Sequence, residues 1–130
     1  MAKAKIVALV GEAAVRQAVA GSSDTTVTAT AVRYLLQLLA DAAPGNTVEV
    51  RVPPHGAIQC IEGPNHSRGT PPNVIETDAA SWLALATGSI SWTDALSGGS
   101  ISASGQRADL SAQLPIVWER PALAAEATER

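Results

Sequence analysis

The sequence predicts an α+β domain, α/β in the broad sense: two N-terminal helices precede a mixed, mainly antiparallel sheet with small helices packed on one face. Three observations predict it. Apolar residues recur at helical spacing through the first 45 residues. They alternate with polar residues in short stretches between residues 47 and 105, and two sets of helix caps stand between the last two of those stretches. With 130 residues, 46% of them apolar, a single domain over 1–130 is the natural count. Its parts are N-terminal helices over 1–45, a core of sheet and helices over 46–118, and a tail over 119–130.

Residues 2–20 carry Ile6, Val7, Leu9, Val10, Ala14 and Val19 among charged and polar neighbours, with Gly21 following, so they read as an amphipathic helix. The rival is a strand over 5–10 leading through Gly11 into a helix, as a dinucleotide-binding fold begins. Gly11-Glu12-Ala13-Ala14 lacks the second glycine that lets backbone approach a pyrophosphate. Residues 22–28 form a polar connector. Thr28 or Thr30 caps the next helix, Val32, Leu35, Leu36, Leu38 and Leu39 supply its apolar side, and Pro44-Gly45 stops it. Residues 34–39 are apolar around most of the circumference. Such a helix is covered on more than one side, either by the sheet and the first helix or by a partner subunit.

Val48, Val50 and Val52 alternate with Glu49 and Arg51, the pattern of a strand with one wet face. Pro53-Pro54-His55-Gly56 is a turn, and residues 57–62 return as a second strand with Ile58 and Cys60 on one face and Ile61 on the other. Residues 63–73 hold three prolines and two glycines, which excludes a central strand. Residues 74–77 re-enter the sheet. Thr77 or Asp78 caps a helix with Trp82, Leu83, Leu85 and Ala86 on its apolar side, and Gly88 stands where its C-terminus needs a left-handed residue. Ser91 and Asp94 resemble a capping box, and Gly98-Gly99 closes the short helix it opens. Ile101 and Ala103 then alternate with serines up to Gly105, a half-buried strand, and residues 107–114 read as a last helix. Pro115 interrupts, residues 116–118 cover an edge, and 121–130 form a helical or frayed tail.

Composition excludes several function classes. A net charge of −3 with dispersed Lys and Arg argues against nucleic acid and against anionic membrane surfaces. A single cysteine, Cys60, excludes an internal disulfide and fits a reducing cytosol. No secretory signal and no run of about 20 apolar residues is present, so the expectation is a soluble cytoplasmic protein without stable membrane insertion. Phenylalanine is absent and aromatics are 3%. A core of such small side chains either packs its helices very closely or leaves a cavity.

Chemistry-bearing residues are few. Cys60 is in strand phase with Ile58, which favours a buried hydrophobe over a nucleophile. His55, Cys60, Glu62 and His66 match no standard zinc spacing, so no metal and no cofactor is expected. His66 and Arg68 lie in a glycine-flanked loop where a guanidinium, an imidazole and backbone N–H groups can hold a carboxylate or phosphate. The structural reading, which the sequence favours, pairs Arg68 with Glu62 or Glu76 to pin the loop. No nucleophile elbow, phosphate loop or metalloprotease helix is present, and an enzyme is not expected.

Residues 74–114 resemble the C-terminal half of sterol carrier protein domains. The resemblance is carried by Leu85 to Gly88, Thr93 to Leu96, the Gly99 to Gly105 strand and residues 107–114. More narrowly, the Gly-Pro-x-His-x-Arg-Gly-Thr-Pro-Pro-Asn segment over 63–73 is similar to one in the compact stand-alone sterol-carrier-like proteins of actinobacteria. The resemblance implies that the helices from Trp82 to Leu96 face an apolar tunnel. Trp82, Leu85, Trp92, Leu96 and Ile101 would then line a pocket for a lipid or a small apolar or acyl ligand, and the protein would be a non-catalytic carrier. The tryptophans can equally supply bulk to a small-residue core. The alternative function is an interaction protein with the tunnel closed, a homodimer that uses the helix over 35–39 or the sheet edge as its contact.

Overall fold

The computed structural model describes residues 5–63 and 72–119. The elements are helices α1 (Ala8–Val19) and α2 (Thr25–Ala42), strands β1 (Val48–Val52), β2 (Gly56–Cys60) and β3 (Asn73–Thr77), helices α3 (Ala79–Thr87) and α4 (Trp92–Ser97), and strand β4 (Ile101–Ser104). The sheet order is β2-β1-β3-β4. β1 pairs antiparallel with β2 and parallel with β3, and β4 is antiparallel to β3, which is the mixed sheet the pattern predicts.

The sheet is buried on one face only. Val48, Val50, Val52 and Ile75 point into the core, and Cys60 and Ile58 join them as the register partners of Val48 and Val50. The opposite face carries Glu49, Arg51 and Glu76, with Arg51 Nη2 3.0 Å from Glu49 Oε1. Helix α2 covers the inner face. Val32, Leu35, Leu36 and Leu39 are at most 2% exposed, each such side chain contributing about 1.5–3 kcal/mol of apolar burial. The cover that residues 34–39 require comes from β2, α1 and α3 within one chain.

Two helices differ from expectation. α2 begins at Thr25, earlier than Thr28, because the Asp24 carboxylate accepts from the N–H groups of Thr26 and Val27. An acidic N-cap satisfies two orphan donors and so outweighs the poor helix propensity of the threonines that follow. α1 is helical as expected, yet apart from Val15 its large apolar residues face outward: Leu9 is 73% exposed, and Val10, Val19 and the N-cap Val7 are each more than half exposed. The buried side is Gly11, Ala14 and Val15 with Glu12. Close approach selects it, because Gly11 lies against the Tyr34 ring, where any Cβ would overlap the ring carbons.

The module after β3 follows its caps. Asp78 accepts from Ser81 N at 2.7 Å, Gly88 ends α3 at φ +91°, and Ser91 Oγ accepts from Asp94 N at 3.1 Å. Residues 107–114 do not form the expected helix. Only a turn of 3-10 helix appears at Ser111–Gln113, with Asp109 Oδ1 accepting from Ser111 N. That side-chain bond offers the backbone an alternative to a helix, and Pro115 leaves no room to extend one. Residues 116–118 likewise do not cover a sheet edge as expected. Ile116 N donates instead to Ala86 O, one of the carbonyls that the end of α3 leaves open.

Thr47, just before β1, is a structural junction. Its carbonyl accepts from the buried Asn73 side chain at 2.9 Å, while Asn73 Oδ1 accepts from Arg107 N. Gly63 lies against the Thr47 side chain with no room for a Cβ. One buried amide thus joins the starts of β1 and β3 to the chain after β4.

Candidate functional site

α2 runs alongside β2 in the same direction. Gly56 faces Arg33 and Leu36, and Ile61 N donates to Ala43 O at 2.6 Å. On the side of α2 that looks past the edge of β2, Arg33, Leu36, Gln37 and Ala40 recur at helical spacing, with Asp41 at the end. These residues, Lys5 and Ile6, and His55 to Ile58 enclose a groove of about 620 Å³. Its walls are tied at three points. Gln37 makes both backbone bonds of Ile6, accepting from its N–H at 2.9 Å and donating to its carbonyl at 3.0 Å. Lys5 Nζ is 3.1 Å from Asp41 Oδ1, and Arg33 Nε donates to His55 O at 3.0 Å.

Its chemistry is amphiphilic. Ile6, Leu36, Ala40, Ala57 and Ile58 supply apolar surface; Lys5, Arg33, His55 and Asp41 sit among them. Arg33 is oriented by the His55 carbonyl and pairs with no carboxylate among the described residues. A second groove of about 530 Å³ lies on the other flank of α2, between Leu38, Leu39, Ala42 and Ala43 and the segment Pro115, Ile116 and Val117. A smaller cleft of about 320 Å³ lies where β3 and β4 meet, lined by Glu76, Asp78 and Ile101 among others.

The residues expected to line a tunnel are used differently. Trp82 is fully buried, and its indole N–H donates to Val32 O at 3.2 Å, which locks α3 onto α2. Leu85 and Trp92 are also buried in the core, Leu96 is 46% exposed on α4, and Ile101 borders the small cleft. Trp82 and Leu85 offer no surface to a ligand unless the core repacks. His66 and Arg68 lie outside the described residues. So does the 121–130 tail. Cys60 is fully buried and its thiol is pushed up to about 11 by burial alone, far from a reactive thiolate. Among the described residues no three His, Cys, Asp or Glu side chains gather as a metal site, and no helix is long and apolar enough to cross a membrane.

Sequence reasoning passed over Lys5, Arg33, Gln37 and Ala40. One signal could have found two of them: Arg33 and Gln37 interrupt the apolar run over 31–40 four residues apart, hence on one side. The rest of the groove comes from three separate segments and has no local signature.

Compared with known families, residues 24–116 match the family model described as bacterial SCP ortholog, SCP denoting sterol carrier protein. The match covers more than two thirds of the chain and begins at the cap of α2. No curated protein matches the chain.

Proposed function

Because the chain belongs to the family of bacterial sterol carrier protein orthologs, we propose that it is a non-catalytic carrier of a lipid or small apolar or acyl-type ligand, bound in the groove between α2 and the edge of β2. The observation that carries this reading is the groove itself, about 620 Å³ of space with an apolar floor and a sparse polar rim. Small-ligand sites fall at roughly 300–1,000 Å³ and combine these two kinds of surface. Binding is driven by removing Ile6, Ala40, Ala57, Ile58 and the ligand's own carbons from water, at about 25 cal/mol per Å² of apolar surface. Lys5, Arg33 and the His55 carbonyl offer charge and hydrogen-bonding groups to the polar end of the ligand. Trp82 and Leu85 serve this site as the rigid core behind α2, and the reading assigns no covalent step.

Native mass spectrometry of the protein purified from its own host, with organic extraction of whatever is released, tests the reading. The expected result is a bound species of lipid or acyl mass, absent from an Ala40→Trp variant whose indole fills the groove. A bare chain mass in the unaltered protein, or equal loading of the variant, would overturn it.

A further inference from the structure

We infer that the free edge of β2 is a contact between two copies of this chain, paired antiparallel about a two-fold axis at Ile58, so that each α2–β2 groove faces its copy. Among the described residues β2 and β4 are the sheet edges, and the two are built differently. β2 reads Gly-Ala-Ile-Gln-Cys, with no charge and no proline, so it lacks the devices that blunt exposed edges. β4 is shorter, and its flanking Gly99 and Gly105 both have positive φ.

The ladder phase leaves the right groups free. The β1–β2 register runs from Val48 opposite Cys60 to Val52 opposite Gly56, and Pro53, which has no N–H, leaves Val52 and Gly56 to bond each other directly. In an antiparallel ladder, alternate residues exchange bonds with one neighbour. Gly56, Ile58 and Cys60 are thus bonded to β1, and the backbone groups of Ala57 and Gln59 point to the open edge. With Ile58 on the axis, Gly56 meets Cys60 of the second copy and Ala57 meets Gln59. No like charges are opposed along the strand.

Charge complementarity selects a second copy over an unrelated strand. α2 and β2 run in the same direction, which puts Arg33 at the Gly56 end of the groove and Asp41 towards the other. A two-fold axis reverses that order. Arg33, which has no carboxylate partner among the described residues, is then brought towards Asp41 of the second copy, whose recorded partner is Lys5 alone. The side of α2 that carries Arg33, Gln37 and Ala40 faces the same way as the edge, so helix and strand contribute to one surface. The pairing does not depend on what occupies the groove.

Light scattering of the full chain across a concentration series provides the test, with two variants. The unaltered protein is expected at twice the 13.3 kDa chain mass. Gln59→Pro removes an N–H that the β1 ladder does not use, and the double variant A57K/Q59K sets lysine against lysine across the axis on the exposed sheet face. Both are expected to lose the dimer at concentrations where the unaltered protein keeps it, with unchanged far-ultraviolet circular dichroism. Should Gln59→Pro unfold, the lysine variant decides. A monomer at every concentration, or a dimer that survives the lysine pair, would overturn the inference whether or not a ligand is found.

Discussion

Two regions pack apolar side chains against the same sheet, and they leave different amounts of space. Around α3, Trp82, Leu85 and Ala86 are at most 1% exposed, and the indole spans from α3 to the backbone of α2. Along the other side of α2, between it and the edge of β2, about 620 Å³ stays open beside Ala40 and Ala57. The helices and strands are ordinary in both places; what differs is side-chain volume. In a chain with three tryptophans and no phenylalanine, Trp82 fills the space behind α2, and the alanines at the edge of β2 leave a groove.

Removing the filler should break the contrast. Trp82→Ala is expected to cost about 3–5 kcal/mol, the range for a large aromatic taken from a well-packed core, and it also removes the indole bond that ties α3 to Val32 O. Urea unfolding would measure it, and a loss under about 1 kcal/mol would mean that this region collapses as readily as a loose one. The next test reverses a common expectation. Alanine in place of a mid-helix glycine usually stabilises by about 1 kcal/mol. Gly11→Ala should instead cost about 1–3 kcal/mol by overpacking, because its Cβ meets the Tyr34 ring. A more stable variant would show that α1 and α2 are free to separate.

The smallest effect concerns Cys60, at the boundary between core and groove. Burial pushes its thiol up to about 11, so alkylation of the folded protein near neutral pH should be slow and should become fast on unfolding. The sign of the pH dependence follows. As pH rises the unfolded chain releases this proton first, so stability should fall between the ordinary thiol range and about 11. Cys60→Ala should remove that component, read as the change in urea midpoint with pH. Rapid labelling of native protein would place the thiol in the groove instead of behind it.

Much of the α3–α4 module was legible in the sequence because its signals are local. Asp78, Gly88 and Ser91 each act within four residues, so the chain order alone reveals them. The β1–β2 hairpin was legible for the same reason, from valine alternation and a Pro-Pro turn. Residues 107–114 misled because helical spacing was present while Asp109 bonded its own backbone. The buried side of α1 misled because closeness of approach, not hydrophobicity, chose it. The groove was illegible in a stronger sense: Lys5, Arg33 and Ile58 become neighbours only through packing. The tryptophans pointed to the correct elements, and bulk in those elements turned out to fill space that a ligand would need.

Thr47 has a consequence for how the protein can be altered. Gly63 rests against its side chain and Asn73 holds its carbonyl, so the stretch between those two residues leaves from and returns to one anchor. The register of β1 with β3 starts at that anchor, where Val48 partners Asn73. Replacing the one Asn73 amide would therefore loosen two strand starts and the chain after β4 together.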